Sequence, residues 1–234
     1  MPSDDTFLII AVDGGAASGK SSTSQAIGRR FQLLHVDTGS FYRAITHRLL
    51  QAGVMPDEAK AVEAALSAIH LDTRVDGNTA VMVIDGSVPG EEIRNPEVNA
   101  AVSAFSALPS VRAFLLEYQR GQAAVAQRAG FRGLIMEGRD IGSVIFPEAT
   151  FRFFLQADPE ARVRRRAEQG QADSIHQRDR MDSQRKAAPL VYPPGAILID
   201  STYLSLEEVV ERMARLIATL APEPKPSTQE PKEV

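Results

Sequence analysis

The sequence predicts a doubly wound α/β fold built on a five-stranded parallel sheet with flanking helices and a small antiparallel β insertion. Three observations predict it. Five short apolar runs are separated by helix-compatible stretches, the pattern of buried parallel strands joined by crossover helices. Residues 14–21, GGAASGKS, lie between the first such run and a helical stretch. Residues 71–95 instead carry β-branched runs broken by strong turn signals.

The first strand is read at Phe7 to Val12, FLIIAV. The turn after it fits G-x-x-x-x-G-K-[ST] in its required context of strand, glycine-rich loop and helix. Gly14, Gly15 and Gly19 allow the backbone to curl so that its N–H groups face a phosphate chain, and the helix behind adds positive potential. The cradle comprises Gly14, Gly15, Ala16, Ala17, Ser18, Gly19, Lys20, Ser21 and Ser22. Lys20 supplies a charge to the outer phosphates, and the Ser21 hydroxyl suits Mg²⁺. The loop implies a nucleoside triphosphate but not the fate of its phosphate.

The second strand, Leu33 to Val36, runs into DTGSFYR. Asp37 to Arg43 then fall at the C-terminal edge of a parallel sheet, where such sheets bind ligands. Thr38 and Arg43 could meet a second phosphate, with Tyr42 packed nearby, although Asp-Thr-Gly-Ser alone is also an ordinary turn. The insertion follows. Asp76-Gly77 and Asp85-Gly86 between β-branched runs predict two or three antiparallel strands.

The third core strand, Leu134 to Met136, ends in EGRDIGS. Glu137, Arg139 and Asp140 gather charge beside a buried run, where charge needs partners or a task. Glu137 stands where a P-loop enzyme keeps an acid that holds Mg²⁺ through water. Arg139 could bind an anion, or an internal ion pair could close the strand. The fourth strand is Phe151 to Leu155, and Asp158-Pro159 starts a helix with an N-cap and a proline. Arg162, Arg165 and Arg166 lie on adjoining faces of that helix. Arg178, Asp182 and Arg185 fall at i, i+4 and i+7, one helix face. That face serves either as a phosphate clamp or as a solvated surface laced by ion pairs. The fifth strand is Ala196 to Ile199. The last helix opens on a capping box, Ser205 and Glu208. Residues 221–234 are rich in proline and charge, which predicts a disordered tail.

At 234 residues the chain suits one domain. A formal net charge of −4 gives no bulk attraction to nucleic acid or anionic lipid. With no cysteine, disulfides, thiolate metal sites and cysteine nucleophiles are excluded. Residues 1–15 lack a basic leader and their apolar run is short, so the expected protein is cytoplasmic, with no membrane and no nucleic-acid partner. No seam for a partner is visible, and a monomer is expected.

Together, GGAASGKSS, VDTGSFYR, IDGSVPGEEIRNPEV, VSAFSALPSVR, MEGRDIGSVIFPEA, RDRMDSQRKAAPL and LIDSTYLSLEEVV resemble the bacterial cytidylate kinases, P-loop nucleoside monophosphate kinases. The resemblance runs from about Phe7 to Leu220. It implies MgATP as donor and CMP or dCMP as acceptor. It places Ser103, Arg112 and Asp140 around the cytosine, and Thr38, Arg43, Arg139 and Arg185 on the acceptor phosphate. Arg178 and Asp182 would contact the sugar and reach the transfer zone. Lys20, Arg139, Arg178 and Arg185 become the catalytic cations, with Ser21 and Glu137 on Mg²⁺.

It also implies an organisation: residues 1–6 as an extension, 7–220 as one kinase domain with its core at 7–50 and 130–220, an acceptor-binding part with the β insertion at about 51–115, and a short helical lid at about 160–185. The stretch between Arg166 and Arg178 is short for the family, so the lid should be reduced. A kinase for UMP, AMP or another small acceptor would share the same core. A GTP-binding switch would too, but no Asn-Lys-x-Asp guanine motif occurs.

Overall fold

A computed structural model describes residues 7–168, 190–221 and 223–224. Each of the five expected core strands forms: β1 (Leu8–Gly14), β2 (Leu33–Asp37), β5 (Gly133–Gly138), β6 (Phe151–Gln156) and β7 (Ile197–Asp200). They pair in parallel in the order β2-β5-β1-β6-β7. The chain therefore leaves β1 toward one side for β2 and β5 and toward the other for β6 and β7. The crevice at the C-terminal end of β1 is a topological switch point, where open α/β sheets bind ligands.

The sheet has seven strands rather than five. The insertion contributes two, β3 (Leu71–Asp76) and β4 (Thr79–Ile84), paired antiparallel. Gly77, at φ 56, makes the left-handed turn between them. The insertion is not a separate small sheet. Backbone pairing of His35 with Thr79 joins β4 to β2, in parallel, and β3-β4 extends the main sheet at that edge. A hydrogen-bonded group behind the hairpin anchors it. The Thr73 hydroxyl bonds the Tyr118 hydroxyl at 2.9 Å, and Gln122 Nε2 donates to Thr73 Oγ1 at 3.0 Å. Burial pushes the Tyr118 phenol up to about 12.

Side-chain alternation sends the strands' apolar residues into two layers. Ile10, Val12, Ile135 and Phe153 face Ile27 and Phe31 of α1 (Lys20–Phe31) and Val209, Met213 and Ile217 of the last helix, α7 (Leu206–Ala218). Ala11, Leu34, Val36 and Met136 face the other layer. That layer holds α2 (Thr38–Gln51), α3 (Ala59–Ser67), α4 (Pro96–Ser106) and α5 (Pro109–Arg128). Each fully buried Leu, Ile or Phe there contributes roughly 1.5–3 kcal/mol.

The predicted caps form. The Ser205–Glu208 capping box closes reciprocally, and Asp158 accepts from Glu160 N at 2.8 Å at the start of α6 (Pro159–Glu168). Among the described residues no single helix is long and apolar enough to cross a membrane.

Candidate active site

The phosphate loop follows β1 directly. Its left-handed residues are Gly14 (φ 151), Ala17 (φ 55) and Gly19 (φ 91). Gly14 is required on a second ground, since a Cβ there would collide with the carbonyl oxygen of Leu155 on neighbouring β6. Gly19 caps α1 with no side-chain bond, so no cap side chain occupies the first amides of the helix, the arrangement that suits an anion. Lys20 is buried and folded back, its Nζ 2.6 Å from the Gly15 carbonyl.

At the end of β2, Asp37 is the N-cap of α2, accepting from Ser40 N at 3.3 Å. The helix begins at once at Thr38, so DTGS is cap and first turn rather than a free-standing turn. Thr38 is buried and donates to the Glu137 carbonyl at 2.7 Å, fastening α2 to β5. Arg43, one turn further and also buried, donates to Asn99 Oδ1 of α4 at 2.5 Å.

The third cluster sits at the end of β5. Glu137 is only 3% exposed, with its two carboxylate oxygens engaged separately: Ser21 Oγ donates to Oε2 at 2.8 Å, and His35 Nε2 lies 2.9 Å from Oε1. Arg139 Nη1 donates to the Gly14 carbonyl at 2.5 Å. Asp140 is ion-paired with Arg112 of α5, whose guanidinium also lies 5.7 Å from the centre of the Tyr42 ring. After Asp140 comes a single π-helical turn, Ile141–Ile145, a local irregularity frequent at functional sites.

These clusters enclose one cleft of about 190 Å³, lined by Lys20, Ser21, Thr38, Tyr42, Arg43, Ser103, Glu137, Arg139 and Asp140. Eight of these nine were expected as substrate or metal residues and Lys20 as a phosphate ligand, and Arg112 joins through Asp140. Sequence reading missed Arg94 and Ser106, which also line it. Arg94 sits on a 3₁₀ turn, Glu91–Arg94, after the insertion. It lines a second opening of about 450 Å³ as well, between the phosphate loop and β4. Its only sequence signal is the cation in GEEIRN beside a proline-started helix.

On the other side of the loop, Ala17, Gly19, Thr23, Arg165, Ser201, Leu204 and Val209 line a cleft of about 250 Å³. Two arginines of α6 bind backbone carbonyls there. Arg162 is buried and gives its guanidinium to the carbonyls of Ala157 and Ala16, at 3.1 and 3.2 Å. Arg165 bonds the Ser201 carbonyl at 2.5 Å, and the Ser201 hydroxyl reaches the Ser18 carbonyl at 3.1 Å. Arg178, Asp182 and Arg185 lie outside the described residues, as does most of the expected lid and tail.

The donor set fits a divalent hard cation. Ser21 and Glu137 offer oxygens, as Mg²⁺ demands. Asp37 lies close by, and burial and then the Glu137 charge push its carboxyl up, with His35 and then Arg94 opposing. The cost of ionising Asp37 beside Glu137 is what a bound cation would relieve.

A family model described as cytidylate kinase matches residues 10–219. The cytidylate kinase of Nocardia farcinica is 38% identical over 227 residues, covering 92% of this chain and 96% of its own. That of Caldanaerobacter subterraneus is 40% identical over 220 residues, covering 89% and 93%. That of Streptomyces coelicolor is 38% identical over 217 residues, covering 90% and 92%. The matched span contains every element of the cleft described above.

Proposed function

The chain belongs to the cytidylate kinase family, and on that premise we propose that it transfers the γ-phosphoryl group of MgATP to CMP or dCMP, giving ADP and CDP or dCDP. The observation that carries the reading is the single cleft that joins Lys20 and Ser21 of the phosphate loop to Thr38, Arg43, Arg139 and Asp140. A donor cradle and an acceptor pocket share one wall, as direct transfer between two nucleotides requires.

In the reaction an oxygen of the acceptor's phosphate attacks the γ-phosphorus while the bond to the β,γ-bridging oxygen breaks. Little covalent chemistry falls to the protein; its work is alignment and charge. The loop amides and Lys20 hold the donor's outer phosphates, Lys20 exchanging the Gly15 carbonyl for a phosphate oxygen. Thr38, Arg43 and Arg139 hold the acceptor phosphate in line, and Arg94 adds a further cation to that end. Ser21 and Glu137 would hold Mg²⁺, which when bound neutralises phosphate charge. Arg185 would join Thr38, Arg43 and Arg139 on the acceptor phosphate, and Arg178 and Asp182 would contact the sugar and reach the transfer zone.

Base choice rests on Asp140, Ser103 and Arg112. Cytosine presents an exocyclic amine where uracil has a carbonyl oxygen. A carboxylate accepts from the amine and repels the carbonyl, and polar pairing of this kind discriminates more strongly than apolar fit. Residues 51–115 form the acceptor-binding part and residues 160–185 the lid, whose closure excludes water as a competing acceptor. The protein works as a cytoplasmic monomer on small nucleotides.

The test is ADP release from ATP with CMP, dCMP, UMP and AMP in turn. Turnover should be fastest with the cytidylates. No ADP with any acceptor, or a preference for AMP, would refute the assignment.

A further inference from the structure

We propose that Asp13 is a positioning residue that locks the acceptor-recognition stretch, Arg139 to Gly142, to the stem of the phosphate loop. Asp13, the last residue of β1 but one, is 1% exposed. Its Oδ1 accepts from Ile141 N and its Oδ2 from Gly142 N, each at 2.8 Å. The next residue continues the contact, because the Gly14 carbonyl accepts from Arg139 Nη1 at 2.5 Å. Two consecutive residues at the root of the phosphate loop thus hold both flanks of Asp140. The Arg112 ion pair fixes Asp140 itself from the other side.

The need for a carboxylate follows from the donors. Ile141 and Gly142 open the π turn, and the leading N–H groups of a helical turn lack acceptors within it. A carboxylate offers two acceptors and no donor; an asparagine of the same shape offers one acceptor and sets an NH₂ against the other amide. A buried charge is a costly way to cap a turn, so its use here marks a place where both amides must be held. Burial pushes the Asp13 carboxyl up to about 6, and the Asp140 charge adds to this, while the two amides and then Lys20 oppose it. Asp140 and Lys20 are the charged side chains that act on it. The lock is therefore intact at neutral pH and loses one acceptor when Asp13 takes a proton.

The inference rests on the kinase reading for its kinetic arm, while its structural arm is independent. Asp13→Asn should raise KM for CMP roughly tenfold, the loss expected from one buried hydrogen bond, and leave KM for ATP within about twofold. Wild-type kcat/KM for CMP should fall below about pH 6 more steeply than that of the variant. The acceptor's own phosphate titrates in the same region, so the step is read as the difference between the two profiles. Equal changes in both KM values, or parallel pH profiles, would overturn the proposal.

Should Asp13→Asn fail to fold, ¹⁵N-labelled wild type decides. The amide resonances of Ile141 and Gly142 should titrate together with a midpoint near pH 6, and flat resonances between pH 7.5 and 4.5 would overturn the lock. If wild type phosphorylates no nucleoside monophosphate, the kinase reading falls and the amide titration still tests the contact.

Discussion

Lys20 is held 2.6 Å from the carbonyl of a residue of its own loop, so its charge is stored beside the place where it is needed. Lys20→Ala should lower kcat by at least about 10²-fold, the usual scale for removing one preorganised charge from a transition state, as measured by coupled ADP release at saturating substrates. Asp140 should act on choice rather than rate. Asp140→Asn keeps volume and turns an acceptor into a group that can also donate, so it should cut the CMP-over-UMP ratio of kcat/KM by about 10–100-fold; competition between the two acceptors measures this. Much of the site is legible at this scale because it is local. GGAASGKS and MEGRD each place their charges next to a strand end, and a strand end fixes where they go. What is not legible depends on packing between distant segments. Nothing in RVRRR tells that Arg162 would turn onto the carbonyls of Ala157 and Ala16, or that Asp13 would reach across to Ile141 and Gly142.

The elements are precise because each strand end is bound to its neighbour by a side chain or a forced close approach. Thr38 ties α2 to β5, Asp13 and Gly14 tie β1 to the stretch after β5, and Ser201 ties the end of β7 to the loop at Ser18. Gly14 is where this is tightest. Gly14→Ala would place a methyl group against the Leu155 backbone at φ 151, and neither partner can move without breaking the β1–β6 ladder. Urea unfolding should show a loss of at least about 2 kcal/mol, from overpacking and a strained φ together. The strands and caps of the core could be read from apolar runs and Ser, Asp and Pro signals. The union of the β3-β4 hairpin with the main sheet could not, since it rests on backbone pairing of His35 with Thr79, and backbone pairing leaves no mark in side-chain pattern.

For the whole molecule, buried carboxylates set an unusual response to acid. Asp13 titrates near 6 in the folded protein against an ordinary 3.8, so between those values the folded state binds the proton more tightly than the unfolded chain. Its contribution to stability therefore rises as pH falls through that window, and Asp37, also raised by burial, acts in the same direction. From pH 7 to pH 5, wild type should gain about 1 kcal/mol relative to Asp13→Asn, as read by denaturant unfolding of both proteins. Over the same interval the lock on Arg139 to Gly142 loosens, so the contribution of Asp13 to stability rises while the hold on the acceptor weakens. On the proposed assignment, the cleft at the switch point of the sheet gives a common wall to the donor cradle and the acceptor pocket. The most direct test of that arrangement is steady-state ADP release with ATP and a panel of CMP, dCMP, UMP and AMP. The highest kcat/KM is expected with CMP or dCMP, a lower one with UMP and none with AMP; equal turnover of all four, or ADP release that no monophosphate stimulates, would contradict it.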